Sequence, residues 1–147
     1  MKLDVGCGDN PHGDVNLDLH RFTKANVIGD IHHLPFRSNA FREVYCFHVL
    51  AHIQKPRLAL EELIRVSKEV IVIEVPHRFS GYVYTPYHKH TFNCNWFRSI
   101  LSRLKSKGLI RWFDVDVKYG WLNPYGKLLI IPFVSIPQLI NVKIGKR

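Results

Sequence analysis

The amino-acid sequence predicts an α/β protein built on a mostly parallel sheet, with an antiparallel hairpin at its C-terminal end. Three observations lead to this fold class. In the first half of the chain, short apolar runs alternate with turn signals and with one amphipathic helix. Residues 70–75 are nearly all β-branched, which is typical of a strand buried on both faces. Two further strand signals flank an Asn-Pro-Tyr-Gly turn near the C-terminus, as in a hairpin.

Each element of the first half follows from a local pattern. The segment 43–49 is β-branched and aromatic, as expected for a buried strand. Pro56 suits the first turn of a helix, and apolar side chains then recur at helical spacing as far as Val66. Pro76 ends the strand over 70–75. The predicted strands of this half are residues 2–5, 15–19, 27–28, 43–49 and 70–75.

The second half contains a second helix and the hairpin. Residues 96–107 are amphipathic, and Gly108 ends this helix. We expect strands over 110–117 and from 127 to 131, joined through the turn at 123–126. The apolar tail 128–144 is interrupted by two prolines. We expect it to supply the last strand and an apolar strap over the core, rather than a segment that lies on a membrane surface.

Length and charge limit the function classes. With 147 residues, we expect a single domain over 1–147, with a first half, 1–76, and a second half, 77–147. The net charge is +9, from 21 basic and 12 acidic residues, yet residues 75–147 carry twelve Lys/Arg and only two acids. This asymmetry predicts contact with an anion such as RNA, a phosphorylated metabolite or a lipid surface. A solvated basic surface explains it equally well.

Cysteine usage and hydropathy bear on where the protein is found. The three cysteines are far apart and form no CxxC pair, which excludes a disulfide scaffold and favours the cytoplasm. No apolar run approaches 18 residues, so we expect no membrane span. The N-terminal residues do not have the pattern of a signal peptide.

A glycine turn and a series of acids indicate a ligand site at one edge of the sheet. Gly6 and Gly8 directly follow the first strand, where they permit a tight turn and close approach to a ligand. Position 11 is proline where the dinucleotide fingerprint requires glycine, so NAD is disfavoured. Asp4, Asp18 and Asp30 stand at the ends of successive predicted strands. Carboxylates there can accept hydrogen bonds from ribose hydroxyls, an exocyclic amine or an ammonium group.

Five motifs, in order along the chain, resemble those of the class I S-adenosylmethionine-dependent methyltransferases, in particular the branch that acts on small molecules. A later segment, 88–109, is similar to the family's segment after the fifth strand, so the resemblance covers residues 3 to about 109. It implies a doubly wound, seven-stranded, Rossmann-like sheet that binds S-adenosylmethionine at its carboxyl edge and releases S-adenosylhomocysteine. The motifs are LDVGCG (3–8), NLDL (16–19), GDIHHLPF (29–36), FHVLAHI (47–53) and PRLALEELIRVSKEVIVIEVPH (56–77).

The resemblance also implies roles for residues at that edge. Asp4, Gly6 and Gly8 would hold the methionine end of the cofactor, and Asp18 would bind the ribose hydroxyls. Asp30 would accept a hydrogen bond from the adenine amine while the next backbone N–H faces the ring. The implied cofactor-binding residues are Asp4, Gly6, Cys7, Gly8, Asp18, Leu19, Asp30, Ile31 and Phe47.

By the same resemblance, His48 would border the methyl-transfer site just past the fourth strand. It is the candidate catalytic residue, a proton acceptor, since histidine titrates near neutral pH. Two groups, His48 with His52 and His88 with His90 and Cys94, invite a metal. Neither supplies enough ligands for a zinc site, so no metal is expected. We expect the methyl acceptor to be a small or anionic molecule that approaches through the basic second half.

Two of the places where the match departs from the family bear on the cover of the sheet. The first crossover has only about eight residues, which is too short for the usual helix between parallel strands. Only Met1 and Lys2 stand where the family usually has a lid before the first strand, so we expect this lid to be absent. Both departures predict an uncovered apolar sheet face, so we expect a second copy or a partner subunit to cover it. They also keep open an alternative function, a cofactor-binding or inactive subunit that supports a partner enzyme or RNA.

Seven aromatic residues crowd the segment 79–97. One explanation is a platform that stacks flat rings or bases beside basic groups. The other is ordinary packing, which we favour for Trp96 and Phe97. For Tyr82, Tyr84 and Tyr87 both explanations stay open.

Overall fold

The computed structural model describes residues 1–80, 86–121 and 135–146, which contain seven strands and two helices. The predicted turn at 123–126 and the strand from 127 to 131 lie outside the described residues, as do Tyr82 and Tyr84. The elements are β1 Lys2–Val5, β2 Val15–Asp18, β3 Val27–Ile28, β4 Phe41–Phe47, α1 Pro56–Val66, β5 Ser67–Pro76, α2 Cys94–Ser106, β6 Trp112–Trp121 and β7 Ser135–Gly145.

The strands form one sheet in the order β3-β2-β1-β4-β5-β7-β6. From β3 to β5 the neighbouring strands run parallel, whereas β7 is antiparallel to both β5 and β6. This topology confirms the predicted α/β fold with antiparallel C-terminal strands. The chain proceeds outward from β1 to β3 and then returns to place β4 on the other side of β1. The carboxyl ends of β1 and β4 therefore flank a switch point, where open α/β sheets bind ligands.

Both helices cover the same face of the sheet. Buried positions alternate along the central strands and are paired in register, for example Val44 with Ile71 and Ile71 with Ile144. These side chains share one hydrophobic cluster with Leu63 of α1 and Phe97 of α2. Because branched apolar side chains pack well on a pleated surface, the predicted β-branched run becomes the strand at the centre of this core.

The opposite face carries no helix among the described residues. Its side chains alternate with the core positions and include two ion pairs. Lys2 Nζ lies 3.4 Å from Glu43, and Lys118 Nζ lies 3.1 Å from Glu74. Other side chains on this face are Tyr45, Phe47, Val70, Val72, Asp114, Asp116, Asn141 and Lys143. The face is mixed in character, so the expectation of an apolar uncovered face is wrong for the described strands.

The described part of the C-terminal tail is a buried strand. β7 lies between β5 and β6, and Ile140 and Ile144 are fully buried. Lys146 then donates a hydrogen bond from Nζ to the Ile64 carbonyl at 2.9 Å, which ties the chain end to the C-terminal turn of α1. The strap expected over the core would comprise residues that lie outside the described ranges.

The connections that precede β4 contain no helix. Residues 6–14 consist of turns and bends, which confirms that the first crossover lacks its helix. Side chains hold these connections to the sheet: the Lys2 N–H donates to Asp14 Oδ2 at 2.7 Å, and the Asn16 N–H donates to Asn26 Oδ1 at 2.8 Å. Neither α1 nor α2 is long and apolar enough to cross a bilayer, and the described ranges contain no other helix.

Candidate functional site

A cleft of about 840 Å³ opens at the carboxyl ends of β1, β2 and β4. Its volume lies within the roughly 300–1,000 Å³ of small-molecule sites. Most residues singled out in the sequence line this cleft, whereas Asp4, Cys7 and Gly8 do not. Those that line it are Gly6, Asp18, Leu19, Asp30, Ile31, Phe47 and His48.

Asp4 lies beneath the loop 6–14. Its side chain is buried, and Oδ2 accepts the His12 N–H at 2.9 Å. Burial raises the pKa of this carboxyl, although the hydrogen bond from His12 acts in the opposite direction. Asp4 thus fixes the loop that follows β1. It can affect a ligand in the cleft only by holding that loop in place.

The two glycines of the turn both have left-handed backbone conformations, with φ 74° at Gly6 and 52° at Gly8. A Cβ atom on Gly6 would collide with Cγ2 of Val49 in the cleft wall. Close packing inside the protein therefore requires glycine at position 6, whether or not a ligand also approaches there. The surroundings of Gly8 are open, and its N–H donates to Asp18 Oδ2 at 3.0 Å.

Asp18 joins two loops at the end of β2. Oδ2 accepts the Gly8 N–H, and Oδ1 accepts the His20 N–H at 2.9 Å. Each oxygen of a carboxylate has a second lone pair, so both oxygens can still accept from a hydroxyl donor. The side chain is buried but lines the cleft, which fits a ligand with neighbouring hydroxyl groups.

Asp30 stands farther along the same wall and is half exposed, at 49% of its side-chain surface. Oδ1 accepts the His32 N–H at 2.9 Å and lies 2.6 Å from Nδ1 of the His32 ring. The backbone N–H of His32 lowers the pKa of the Asp30 carboxyl, so that it is held in its charged, acceptor form. Ile31 is buried beside it in the cleft. This edge of the cleft can therefore accept a hydrogen bond from an amine.

A pair of residues on α1 holds the loop that carries Asp30. The Arg65 guanidinium donates to the Phe36 carbonyl at 2.7 Å and to the Leu34 carbonyl at 3.0 Å. Glu62 accepts the Leu34 N–H at 2.8 Å, and Arg65 Nε lies 2.6 Å from Glu62 Oε1. This contact lowers the pKa of Glu62. Neither residue stands out in the sequence, because an i,i+3 charge pair is an ordinary feature of a helix surface.

His48 begins the segment after β4 and has a left-handed backbone, with φ 61°. Its N–H donates to the Glu74 carbonyl at 2.8 Å, and its ring Nε2 lies 3.0 Å from Glu74 Oε1. About half of the imidazole is exposed, and it lines the cleft. Glu74 does not stand out as a site residue in the sequence either, although it is the single acid in the otherwise apolar predicted strand 70–75, which was a usable signal.

Basic groups dominate the outer wall of the cleft. Lys55 precedes α1, and Lys89 is hydrogen-bonded through its N–H to the Ala51 carbonyl. Neither lysine forms an ion pair with a described residue. Burial lowers the pKa of His52. With only two acids in the lining, this wall favours an anionic molecule. The basic and histidine residues of the lining are His20, His32, His33, His48, His52, Lys55 and Lys89.

The aromatic segment divides into core and surface. Phe97 is fully buried and Trp96 packs on it with a ring-centroid distance of 4.8 Å, which agrees with the packing explanation. Tyr87 and Phe79 are largely exposed. Within the described ranges, no three His, Cys, Asp or Glu side chains are grouped to hold a metal ion.

Fold and site together define an α/β protein with a nucleoside-sized cleft at its switch point and acceptor carboxylates along one wall. Comparison with known proteins agrees with this class. Residues 12–70 match the family model described as a methyltransferase domain. No curated protein matches the sequence.

Solved structures share the fold over nearly the whole chain. An S-adenosylmethionine-dependent methyltransferase from Thermotoga maritima, described as a possible histamine N-methyltransferase, has a TM-score of 0.74 at 14% identity, covering 99% of this chain and 82% of its own. One from Archaeoglobus fulgidus has a TM-score of 0.70 at 20% identity, with coverages of 98% and 85%. The Haloferax volcanii complex of the Trm112 methyltransferase activator with a protein assigned as a methyltransferase has a TM-score of 0.61 at 12% identity, with coverages of 99% and 81%.

The family match covers residues 12–70, less than half of the chain, and the solved structures, which are 14% and 20% identical in the first two cases, show that the chain shares the fold of S-adenosylmethionine-dependent methyltransferases.

Proposed function

We propose that the cleft binds S-adenosylmethionine and that a methyl group is transferred there to an acceptor beside His48. The observation that carries this proposal is the placement of Asp18, Asp30 and His48 in one cleft of about 840 Å³ at the switch point. Two acceptor carboxylates and a histidine then face one ligand-sized space. A nucleoside offers hydroxyls and an amine, from which these carboxylates can accept hydrogen bonds.

In this proposal, different residues bind different parts of the cofactor. Asp18 binds the ribose hydroxyls through the lone pairs that the Gly8 and His20 N–H groups leave unused. Asp30 accepts from the adenine amine, and the Ile31 N–H faces the ring, with Leu19 and Phe47 as apolar walls. The loop that Asp4 fixes from below, including Gly6, Cys7 and Gly8, takes the methionine end.

The chemical demands on the protein are modest. When bound, the cofactor supplies a methyl group that is already activated by a sulfonium. The chain orients the acceptor, excludes water and receives the proton that the acceptor gives up. His48 is suited to this last task, since its half-exposed ring lines the cleft where an acceptor can enter.

We propose a small, anionic acceptor. Lys55 and Lys89 stand in the outer wall of the cleft, and the acids in the lining are the two assigned to the cofactor. An acceptor that carries a carboxylate or phosphate gains from both lysines. RNA is the other anion that fits the basic second half; its binding would weaken steeply with added salt.

A second candidate, a cofactor-binding subunit without catalysis, is favoured by one observation. The first crossover, residues 6–14, contains no helix, so no helix N-terminus is available there for the anionic end of a cofactor. Such a subunit, with a partner or a second copy on the open sheet face, would resemble the neighbour found with an activator. We also propose a cytoplasmic location, which agrees with the three free cysteines. A single domain over 1–147 is part of the same proposal.

Calorimetry with S-adenosylhomocysteine tests the proposed function. We expect micromolar binding that is lost in Asp18→Ala and retained in Asp114→Ala, an exposed acid of β6 outside the cleft. Unchanged binding in Asp18→Ala would contradict the assignment. The subunit alternative predicts binding without turnover, so transfer of a labelled methyl group to anionic acceptors, lost in His48→Ala, would exclude it.

A further inference from the structure

We infer that the groove between α1 and α2 is a docking site for an acidic, amphipathic helix of a partner protein. The groove has a volume of about 460 Å³ and shares no lining residue with the cleft. The inference therefore does not depend on the proposed function. The residues of the groove that matter here are Arg57 and Glu61 of α1, and Ile100, Arg103, Lys107 and Leu109 from α2 and the turn that follows it.

The floor of the groove is apolar. Ile100 is half-buried, Leu104 is buried one helical turn further on, and Leu109 keeps 50% of its surface exposed. Positions 100 and 104 share a face of α2, and the Leu109 N–H donates to the Leu104 carbonyl at 3.1 Å, which holds Leu109 at the end of the same face. Apolar side chains of a partner can therefore bury the exposed part of this floor.

The rim of the groove is positively charged. Arg103 and Lys107 are exposed, and neither forms an ion pair with a described residue. Glu61 is the only acid among the described residues that line the groove, and Arg57 pairs with it at 3.2 Å. The surrounding sequence has the same character, since residues 75–113 carry seven Lys/Arg and no Asp or Glu. This charge favours an occupant with acidic side chains.

The shape of the groove suits a helix. α2 and its C-cap line it from residue 99 to residue 107, a length of roughly 12 Å at the rise of an α-helix, which matches about two turns of a partner helix. An amphipathic helix presents apolar side chains three and four residues apart, with polar side chains on either side. Its apolar stripe contacts Ile100 and Leu109, and the acids beside the stripe reach Arg103 and Lys107.

Two other occupants suit the groove less well. RNA carries a phosphate at every nucleotide, gains little from an apolar floor, and is repelled by the Glu61 carboxylate. A second copy that used the same surface would bring like charges together. A partner helix can space its acids to face Arg103 and Lys107 and keep them away from Glu61.

Fluorescence anisotropy with a labelled synthetic peptide tests the inference. The peptide has leucine along one helical face, glutamate on both borders of that face and alanine elsewhere. A scrambled peptide of the same composition is its control. We expect micromolar binding of the first peptide, and binding of the scrambled peptide that is weaker by roughly tenfold, because it cannot place its leucines on the floor.

Substitutions on α2 and after it locate the binding. Arg103→Glu should weaken peptide binding by roughly tenfold. Leu109→Ser should weaken it by about fivefold, because the apolar contact is lost. Lys105→Glu is the matched control: it makes the same charge change on the same helix, outside the groove, and should alter binding by less than about twofold. The three residues are exposed, and circular dichroism checks that each variant is folded. Lys107→Glu takes the place of Arg103→Glu if that variant does not fold.

The outcomes decide between the occupants. Loss of binding in Arg103→Glu and Leu109→Ser, with Lys105→Glu unchanged, supports the inference. It is overturned if the first peptide does not bind, or if the scrambled peptide binds equally well. Equal losses in Arg103→Glu and Lys105→Glu also overturn it, because binding would then reflect the charge of the whole surface. Binding of an oligouridylate that is weakened by Arg103→Glu and unaffected by Leu109→Ser, in the absence of peptide binding, would overturn it in favour of RNA.

Discussion

The two ends of the sheet are stabilised in different ways. At the β3-β2-β1 end, the connections lack helices, and side-chain oxygens of Asp4, Asp14, Asp18 and Asn26 hold them by accepting backbone N–H groups. At the β4-β5-β7-β6 end, α1 and α2 pack branched apolar side chains into one cluster. The first end is organised by hydrogen bonds to carboxylates and amides, the second by burial.

This difference has a functional consequence. The carboxylate of Asp18 that is proposed to bind the cofactor also ties two loops to the sheet. A change there should therefore alter stability and ligand binding together. A change in the helix-covered core should alter stability alone. The following four substitutions test this distinction.

The largest effect is expected from Leu63→Ala in α1. Leu63 is fully buried in the core, so its truncation should lower the free energy of unfolding by about 2–5 kcal/mol. Urea unfolding measures this loss, with the half-exposed Leu109→Ala as the control that changes little. S-adenosylhomocysteine affinity of the folded fraction should not change; a large drop in affinity would remove the distinction between the two ends.

Asp18→Ala should have the next largest effect. It leaves the Gly8 and His20 N–H groups without their charged acceptor, at a cost of about 1.5–3 kcal/mol. Asp18→Asn keeps one carbonyl acceptor, and we expect it to lose less stability. Thermal unfolding of both variants gives the comparison. Equal stability of wild type and Asp18→Ala would show that the carboxylate is free for the ligand alone.

Glu62→Gln tests the contact by which α1, at the second end, holds the loop that carries Asp30. Arg65 and the Leu34 N–H lower the pKa of Glu62, so the charged form is favoured by folding. Its stabilisation is fully present above the ordinary glutamate pKa and is lost as the pH falls through the lower value of the folded protein. The variant should lose about 1 kcal/mol at neutral pH and show a flatter acid limb in unfolding curves. An unchanged acid limb would contradict this role.

The smallest effect is expected from Gly8→Ala. The residue has φ 52° and open surroundings, so the cost is backbone strain of about 1 kcal/mol. Gly108→Ala, after α2, is the matched control, with φ 71° and equally open surroundings. Both should lose similar stability in urea unfolding. Only Gly8→Ala should weaken S-adenosylhomocysteine binding, because Gly108 is remote from the cleft; equal affinities would place the 6–14 loop outside the site.

Much of the fold could be predicted from local patterns. The bounds of β1 and β3 agree with the sequence prediction, and the missing first crossover helix follows from the short spacing between strands. The boundaries of β4 and β5 shift by one to three residues, since strand ends are determined by pairing with neighbours. The position of β7 between β5 and β6 was not contained in any local signal, because register across a sheet is a tertiary property.

The sequence indicates which residue types belong to the candidate site. It indicates less well where their side chains lie. Asp18 and Asp30 line the cleft, whereas Asp4 lies beneath a loop, and the cofactor contacts that the resemblance implies for these residues stay predictions. Glu62 and Arg65 look like an ordinary helix pair in the sequence, and only the packed loop turns them into its anchor.

The sequence by itself determined the alternation of elements, the glycine turn and the acids at the strand ends, because periodicity and spacing act over a few residues. Tertiary structure decided which carboxylate faces the cleft, that the open sheet face carries mixed side chains, and that Glu74 stands against His48. These outcomes depend on strand register and on contacts between residues far apart in the chain, such as positions 48 and 74, and no local pattern encodes such distances.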